Sequence, residues 1–133
     1  MPNRMLKIIL LAASSDSKLD NYEKVFLEKI LTGNPEFYNL SINEIGQIQQ
    51  SLISDLQRLE VEEIVESEAR FLSSESKLKT YALCLEMCLY NFELDDLELI
   101  FLRMLRRILN LNPADIDSIH FSATVRYGLT EPF

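Results

Sequence analysis

The chain is poor in the residues that long loops and β-rich folds require, since its 133 residues include only three glycines and four prolines. Its two cysteines, Cys84 and Cys88, are too few for a disulfide framework or for a zinc site built on thiolates. The glycines at positions 33, 46 and 128 stand apart, so the chain has no glycine-rich loop for binding phosphate. No apolar run is long enough to span a membrane as a helix.

Basic residues are also in the minority. The 13 lysines and arginines face 21 acidic residues, which gives a net charge of −8. A surface of that sign repels phosphate backbones, so we expect no nucleic-acid partner. It suits divalent cations or basic protein surfaces better. Histidine occurs once, as His120 at the edge of an apolar stripe, where a packing or surface role is more typical than catalysis. We therefore expect no enzymatic activity.

Hydrophobic residues make up 47% of the chain, enough for the core of one domain spanning residues 1–133. Apolar residues recur with helical spacing, which predicts an all-α fold of about six to seven helices. The predicted helices cover residues 5–14, 20–33, 41–59, 61–72, 78–92, 95–108 and 112–128. The segment 61–65 is the one stretch that an extended conformation also fits, and residues 73–76 are predicted to form a link.

Several helix ends carry local signals. An Asp or Ser followed three residues later by Glu is typical of a capping box, which satisfies free backbone N–H groups at a helix start. Such pairs are Asp20 with Glu23, Ser41 with Glu44, and Asp95 with Glu98. Asn112 before Pro113 marks another start, and Gly128 is placed to end the last helix. The apolar spacing predicts that the second helix buries Tyr22, Val25, Phe26 and Ile30, and the sixth Leu97, Ile100, Phe101, Met104, Leu105 and Ile108.

The N-terminal apolar run has two interpretations. Residues 5–13 follow a basic flank as in a secretory signal peptide, but the run is short and contains Lys7. We expect it to be the first helix of the fold, because an internal duplication of the chain includes it. Cys84 and Cys88 share one face of an apolar helix and are expected to be buried free thiols, which indicates a reducing compartment.

The internal duplication repeats residues 5–31 in residues 80–106. Pairing Asp20 with Asp95 brings six identical residues into register; the other five pairs are Leu10/Leu85, Leu19/Leu94, Glu23/Glu98, Phe26/Phe101 and Leu27/Leu102. Each copy reads as an apolar helix, a short link, an Asp cap and an amphipathic helix. Two such hairpins can pack together around an approximate two-fold axis.

Each copy also carries three polar residues with equal spacing. They are Asp16, Asp20 and Glu23 in the first copy and Asn91, Asp95 and Glu98 in the second. Oxygen ligands grouped in this way can hold a hard cation such as Ca²⁺ or Mg²⁺. Asp at a helix cap and Glu one turn later are equally what a helix start favours without a ligand. The acidic run at residues 60–68 is a solvated helix face or a docking surface for a basic partner.

The sequence A-A-S-S-D-S-K-L-D-N-Y-E at residues 12–23 resembles the A-A-x-x-D-G-x-L-x-x-x-E signature of the tellurite-resistance TerB-like family. Domains of this type also occur at the cytoplasmic end of a membrane-anchored DnaJ-type co-chaperone. Residues 90–98 and the closing L-N-L-N-P at residues 109–113 are similar to the family's weaker second copy and to its entry into a final helix. Ser17 and Phe92 stand where the motif has glycine, and Asn91 stands where the second copy has its first Asp.

The resemblance implies an all-helical, pseudo-two-fold domain in the cytoplasm, with a role in stress-response or metal-related systems. It also implies that the paired acids form a cation site from Asp16, Asp20 and Glu23 together with Asn91, Asp95 and Glu98. A plain helical interaction module, with a protein partner or a second copy of the chain and no metal, is the alternative that the residues leave open.

Overall fold

Helices account for most of the residues that a computed structural model of this chain describes, which are 2–13, 21–89 and 94–129. Those ranges form seven α-helices and contain no strand, so the predicted all-α fold with six to seven helices is confirmed. The helices are α1 (Pro2–Ala13), α2 (Asn21–Gly33), α3 (Ile42–Leu56), α4 (Val61–Ala69), α5 (Ser74–Cys88), α6 (Asp96–Leu109) and α7 (Pro113–Tyr127). A short 3-10 turn at Pro35–Phe37 follows α2.

The predicted signals at the starts of α3 and α7 and at the end of α7 are used as the sequence predicts. Ser41 Oγ accepts the Glu44 backbone N–H at 3.1 Å while Glu44 Oε1 accepts the Ser41 N–H at 3.2 Å, which completes the capping box of α3. The Asn112 side chain accepts a backbone N–H in the first turn of α7. Asn110 and Gly128 adopt left-handed backbone conformations, with φ of 50° and 65°, and close α6 and α7.

The start of α5 differs from the prediction, since the helix begins at Ser74 rather than at residue 78. Residues 73–76 do not form a link, because Ser73 caps α5 and Ser74–Ser76 make its first turn. Serine is as typical of a helix start as of a loop, since its hydroxyl can satisfy an end N–H group. Residues 61–65 are helical, as the prediction of a fourth helix requires, and Glu60 with Glu63 supplies a further capping box that was not predicted.

The centre of the fold is formed by α1 and α5, which pack against each other. Every residue of α1 from Met5 to Ala12 is buried, and α5 is buried over most of its circumference, as expected for an apolar central helix. The helices α3 and α4 pack on α1, the helices α2 and α7 pack on α5, and α6 contacts α1, α4 and α5.

The bounds of the helices follow the duplication. The offset that pairs Asp20 with Asp95 also pairs Ala13 with Cys88, the last residues of α1 and α5. It pairs Asn21 with Asp96, the first residues of α2 and α6. Each copy therefore places the C-terminus of a buried helix a few residues before the N-terminus of an amphipathic one.

The two thiols and the helix lengths agree with two further predictions. Both Cys84 and Cys88 are buried and free. Across the described parts of the chain, no helix is long and apolar enough to cross a membrane.

Candidate functional site

The structure describes three of the six predicted cation ligands. Glu23 lies in the first turn of α2, Asp95 caps α6, and Glu98 lies one turn into α6. Asp16, Asp20 and Asn91 fall outside the described residues. The described part of the acidic constellation therefore consists of one carboxylate from the first copy and two from the second.

Asp95 and Glu98 form the predicted capping box. The Asp95 carboxylate accepts the Glu98 backbone N–H at 2.7 Å, and Glu98 Oε1 accepts the Asp95 backbone N–H at 3.0 Å. The helix-cap interpretation of this pair is confirmed. A cap and a cation ligand are compatible roles for a carboxylate, because it has two oxygens and about four lone pairs.

Carboxylates from the two copies are close enough for their charges to interact. Glu23 is 7% exposed, which is unusual for a glutamate. Burial raises the pKa of Glu98 to about 7, with the negative charges of Asp95 and Glu23 contributing to the rise and the hydrogen bond from the Asp95 backbone partly offsetting it. The charge of Glu23 reaches Glu98 although the two residues belong to different copies.

An apolar floor lies beneath these carboxylates. Burial raises the pKa of the Cys88 thiol, and the charges of Glu98, Asp95 and Glu23 contribute to that rise. The thiol donates a weak hydrogen bond to the carbonyl oxygen of Ala12, with an S–O distance of 3.7 Å. The C-termini of α1 and α5 thus meet under the acids, where low polarity makes each negative charge more costly to leave uncompensated.

The described residues do not by themselves make a complete metal site. Within 2–13, 21–89 and 94–129, no three His, Cys, Asp or Glu side chains are grouped so that they could hold a metal ion. The predicted ligand set draws its other oxygens from Asp16, Asp20 and Asn91.

The predicted buried faces of α2 and α6 are partly wrong. Tyr22 and Val25 are exposed by 77% and 55%, and their counterparts Leu97 and Ile100 by 77% and 59%. The helix α2 is rotated so that Glu23 is buried, and Glu98 at the equivalent position of α6 is half-buried. The buried residues are Glu23, Leu27 and Ile30 in α2 and Leu102, Leu105 and Leu109 in α6. A pattern that counts only apolar residues misses a face that contains an inward-pointing acid.

The buried ammonium group of Lys7 belongs to a polar cluster that was not predicted from the sequence. Lys7, on α1, donates to Asp55 Oδ2 at 2.6 Å and to Ser51 Oγ at 3.0 Å, and lies 3.4 Å from Glu68 Oε1. Its hydrogen bond and charge hold the pKa of Asp55 below the ordinary value. This cluster fixes α1 to α3 and α4. A lysine inside an apolar run is the sequence signal for this cluster, but the partners of that lysine lie far away along the chain.

His120 has the packing role that its position predicts. Its Nε2 lies 2.6 Å from the Tyr81 hydroxyl, and the two rings are in contact. Burial and the nearby Arg106 lower the pKa of His120 to about 4, and burial raises the pKa of Tyr81 to about 12. Both side chains therefore stay neutral near pH 7, and their hydrogen bond fixes α7 on α5.

Comparisons with known proteins identify no relative of this chain. The chain matches no family model, no curated protein and no solved structure.

Proposed function

We propose that this chain is a non-enzymatic, TerB-like, divalent-cation-binding domain of the cytoplasm that acts in a stress-response or metal-related setting. The observation that carries the proposal is that the charge of Glu23, in the first copy, acts on the half-buried Glu98 of the second copy. The resemblance of residues 12–23 to the TerB-like signature supplies the setting. The acids of the duplicated motif are the proposed ligands: Asp16, Asp20, Glu23, Asn91, Asp95 and Glu98.

The electrostatics favour a cation at this place. Carboxylates that are partly removed from water and repel each other either take up a proton or bind a positive ion. The raised pKa of Glu98 means that its carboxylate takes up a proton more readily than an ordinary glutamate does. A hard divalent cation would bind the same oxygens, and Ca²⁺ or Mg²⁺ suits a ligand set made only of oxygen atoms.

The test is thermal melting of the purified chain, first in chelator and then with increasing Ca²⁺, Mg²⁺, Mn²⁺ or Zn²⁺. A cation that binds only the folded state stabilises it by about 2.7 kcal/mol at a hundred times its Kd. We expect the melting temperature of the wild type to rise with Ca²⁺ or Mg²⁺. The Asp20→Asn/Asp95→Asn double variant should show no such rise, because Asn still caps a helix but carries no charge.

A matched control separates site binding from general screening of an acidic surface. Glu44 is the exposed capping-box glutamate of α3, at the position equivalent to Glu98 in α6. Glu44→Gln should leave the cation-dependent rise intact, whereas Glu98→Gln should reduce it. If neither Ca²⁺ nor Mg²⁺ changes the melting temperature of the wild type, the acids are caps alone and the cation proposal is wrong.

A second candidate function is a helical protein-interaction module without a metal. It is favoured by the exposed apolar pairs Tyr22/Val25 and Leu97/Ile100, which recur at equivalent positions in the two copies. Exposed apolar residues at helix surfaces are typical of contact sites when they cluster. The acidic face of α4 contributes less than its composition indicates, because Glu62 is paired with Arg107 at 2.5 Å.

The partner of such a module is another protein or a second copy of the chain. Light scattering after size-exclusion chromatography of the wild type and of a Tyr22→Ser/Leu97→Ser variant distinguishes these cases. A wild-type dimer that the variant converts to a monomer would support self-association. A wild type that is monomeric over the whole accessible concentration range would exclude the homodimer.

A further inference from the structure

A groove of about 490 Å³ lies between α2, α5 and α7, and none of the described acids of the repeated motif lines it. Both α2 and α7 pack on α5, and the groove lies along that junction. Its apolar surface comes from Phe26 and Ile30 of α2 and Leu83 of α5. The volume is within the range of about 300–1,000 Å³ found for binding clefts.

Each side of the groove carries an aromatic ring with a cation over it. On α2, the Lys29 ammonium lies 5.6 Å from the centre of the Phe26 ring. On α7, the Arg126 guanidinium carbon lies 5.4 Å from the centre of the Tyr127 ring. A cation near an aromatic face is held in place.

Among the described residues that line the groove, the carboxylate of Glu86 is already engaged. Glu86 Oε1 accepts from Arg126 Nη1 at 2.5 Å, and Glu86 Oε2 accepts a hydrogen bond from the Tyr127 hydroxyl. Burial and the neighbouring Glu86 raise the pKa of Tyr127 to about 12, so its hydroxyl remains a donor near pH 7. Among the described residues that line the groove, Lys29, Arg126 and Glu86 sum to one positive charge, which is carried by Lys29 because Arg126 is paired with Glu86. The net charge of the chain is −8.

Apolar surface and positive charge coincide here, and that combination selects the partner. An acidic segment is repelled by the chain as a whole but attracted by this groove, and an apolar side chain gains from contact with Phe26, Ile30 and Leu83. We propose that the groove docks a segment of a partner protein in which an apolar side chain is flanked by carboxylates. The docking does not depend on the paired acids or on a bound cation.

The test uses fluorescein-labelled peptides in which Leu or Phe is flanked by Asp or Glu, with anisotropy of the full chain as the readout. The same peptides with Lys in place of Asp and Glu form the comparison set. Backbone amide NMR of the isotope-labelled chain then locates the contact. We expect acidic peptides to bind, and the amide signals of Ile30, Leu83 and Tyr127 to move.

The substitution Lys29→Glu reverses a charge at the edge of the groove without touching the core. It should weaken acidic-peptide binding about threefold to tenfold. Lys24→Glu is the matched control, since Lys24 is exposed on the same helix and does not line the groove. It should leave the affinity close to that of the wild type. Melting curves of both variants confirm that each is folded.

Each other outcome contradicts the proposal. If the acidic peptides do not bind, or if basic peptides bind as well, the groove does not select an acidic segment. If Lys24→Glu and Lys29→Glu weaken binding equally, the attraction comes from overall charge. If a small apolar monocarboxylate shifts the groove signals and the peptides do not, the groove is a small-molecule site instead.

Discussion

Replacing Glu98 by glutamine should stabilise this protein at neutral and alkaline pH when cations are chelated. Glutamine keeps the shape and the acceptor oxygen of glutamate, so the capping box with Asp95 can persist. What it removes is a carboxylate that is partly buried near two others. The variant thus tests whether the acidic cluster is unfavourable in the absence of a counter-charge.

The magnitude can be worked from the pKa. Glu98 titrates with a pKa of about 7 in the folded chain against an ordinary value of 4.5. Each pKa unit corresponds to about 1.4 kcal/mol, and the full shift to about 3 kcal/mol. Glu98 is only half-buried, and solvent screening reduces the effect to about 1–2 kcal/mol. For a chain of this length the melting temperature should rise by about 3–8 °C.

The sign of the pH dependence is fixed because the folded state holds the Glu98 proton more tightly than the unfolded state. Stability from this group is fully present below pH 4.5 and is lost as the pH rises through the folded-state pKa of about 7. His120, with its pKa lowered to about 4, acts in the opposite direction, since its contribution is lost as the pH falls below about 6.5. The informative quantity is therefore the difference between variant and wild type, in which the histidine contribution cancels.

The assay is urea unfolding of wild type and Glu98→Gln in chelator, at pH values of about 5 and about 8. The variant should gain about 1–2 kcal/mol at the higher pH and little at the lower pH. Glu44→Gln, at the exposed equivalent position in α3, should gain nothing at either pH. A loss of stability in Glu98→Gln that is equal at both pH values would refute the reasoning, because it would leave only a damaged cap.

Three further predictions concern the core and the buried polar groups. Leu85→Ala should cost about 2–5 kcal/mol in urea unfolding because Leu85 is 1% exposed, whereas Ile42→Ala, at 88% exposure, should stay within about 0.5 kcal/mol; equal effects would contradict the packing of α5 and α3. Lys7→Met should cost about 3 kcal/mol at pH 7 because it leaves Asp55 without its buried partner. Lowering the pH through the range in which Asp55 titrates should reduce that loss of stability. A loss that does not depend on pH would point to packing alone. His120 is the sole histidine, so its ring signals in NMR should titrate near pH 4, and a midpoint near 6.5 would mean that the ring is solvated.

Local chemistry explains why most helix starts could be predicted. Ser41 and Asp95 act through hydrogen bonds to residues three positions away, so a short window of sequence contains the whole interaction. The error at residues 73–76 has the same origin, since Ser73 uses a hydroxyl that a loop would use equally well. Signals contained within one helical turn can be recognised in the sequence, but they do not always distinguish a helix start from a loop.

The faces of α2 and α6 could not be predicted in this way because their orientation depends on distant contacts. Tyr22 and Val25 have the right spacing for a buried stripe, but the helix buries Glu23 instead. The partners of Lys7 are equally non-local, since Asp55 and Glu68 belong to other helices. A buried charge overrides hydrophobic periodicity wherever the fold supplies compensation that no local pattern contains.

The glutamate in the motif is more than a cap requires. A glutamine at the same position would complete the box, and an apolar residue would pack better on the floor formed by Cys88 and Ala12. Glu98 is nevertheless a carboxyl group whose pKa is raised by burial, and its counterpart Glu23 is buried as well. Few paired positions of the two copies are identical, and these two acids are one such pair. A half-buried carboxylate with a raised pKa gains from a bound cation, and this is the physical reason to place a cation, rather than a second cap, at the centre of the proposal.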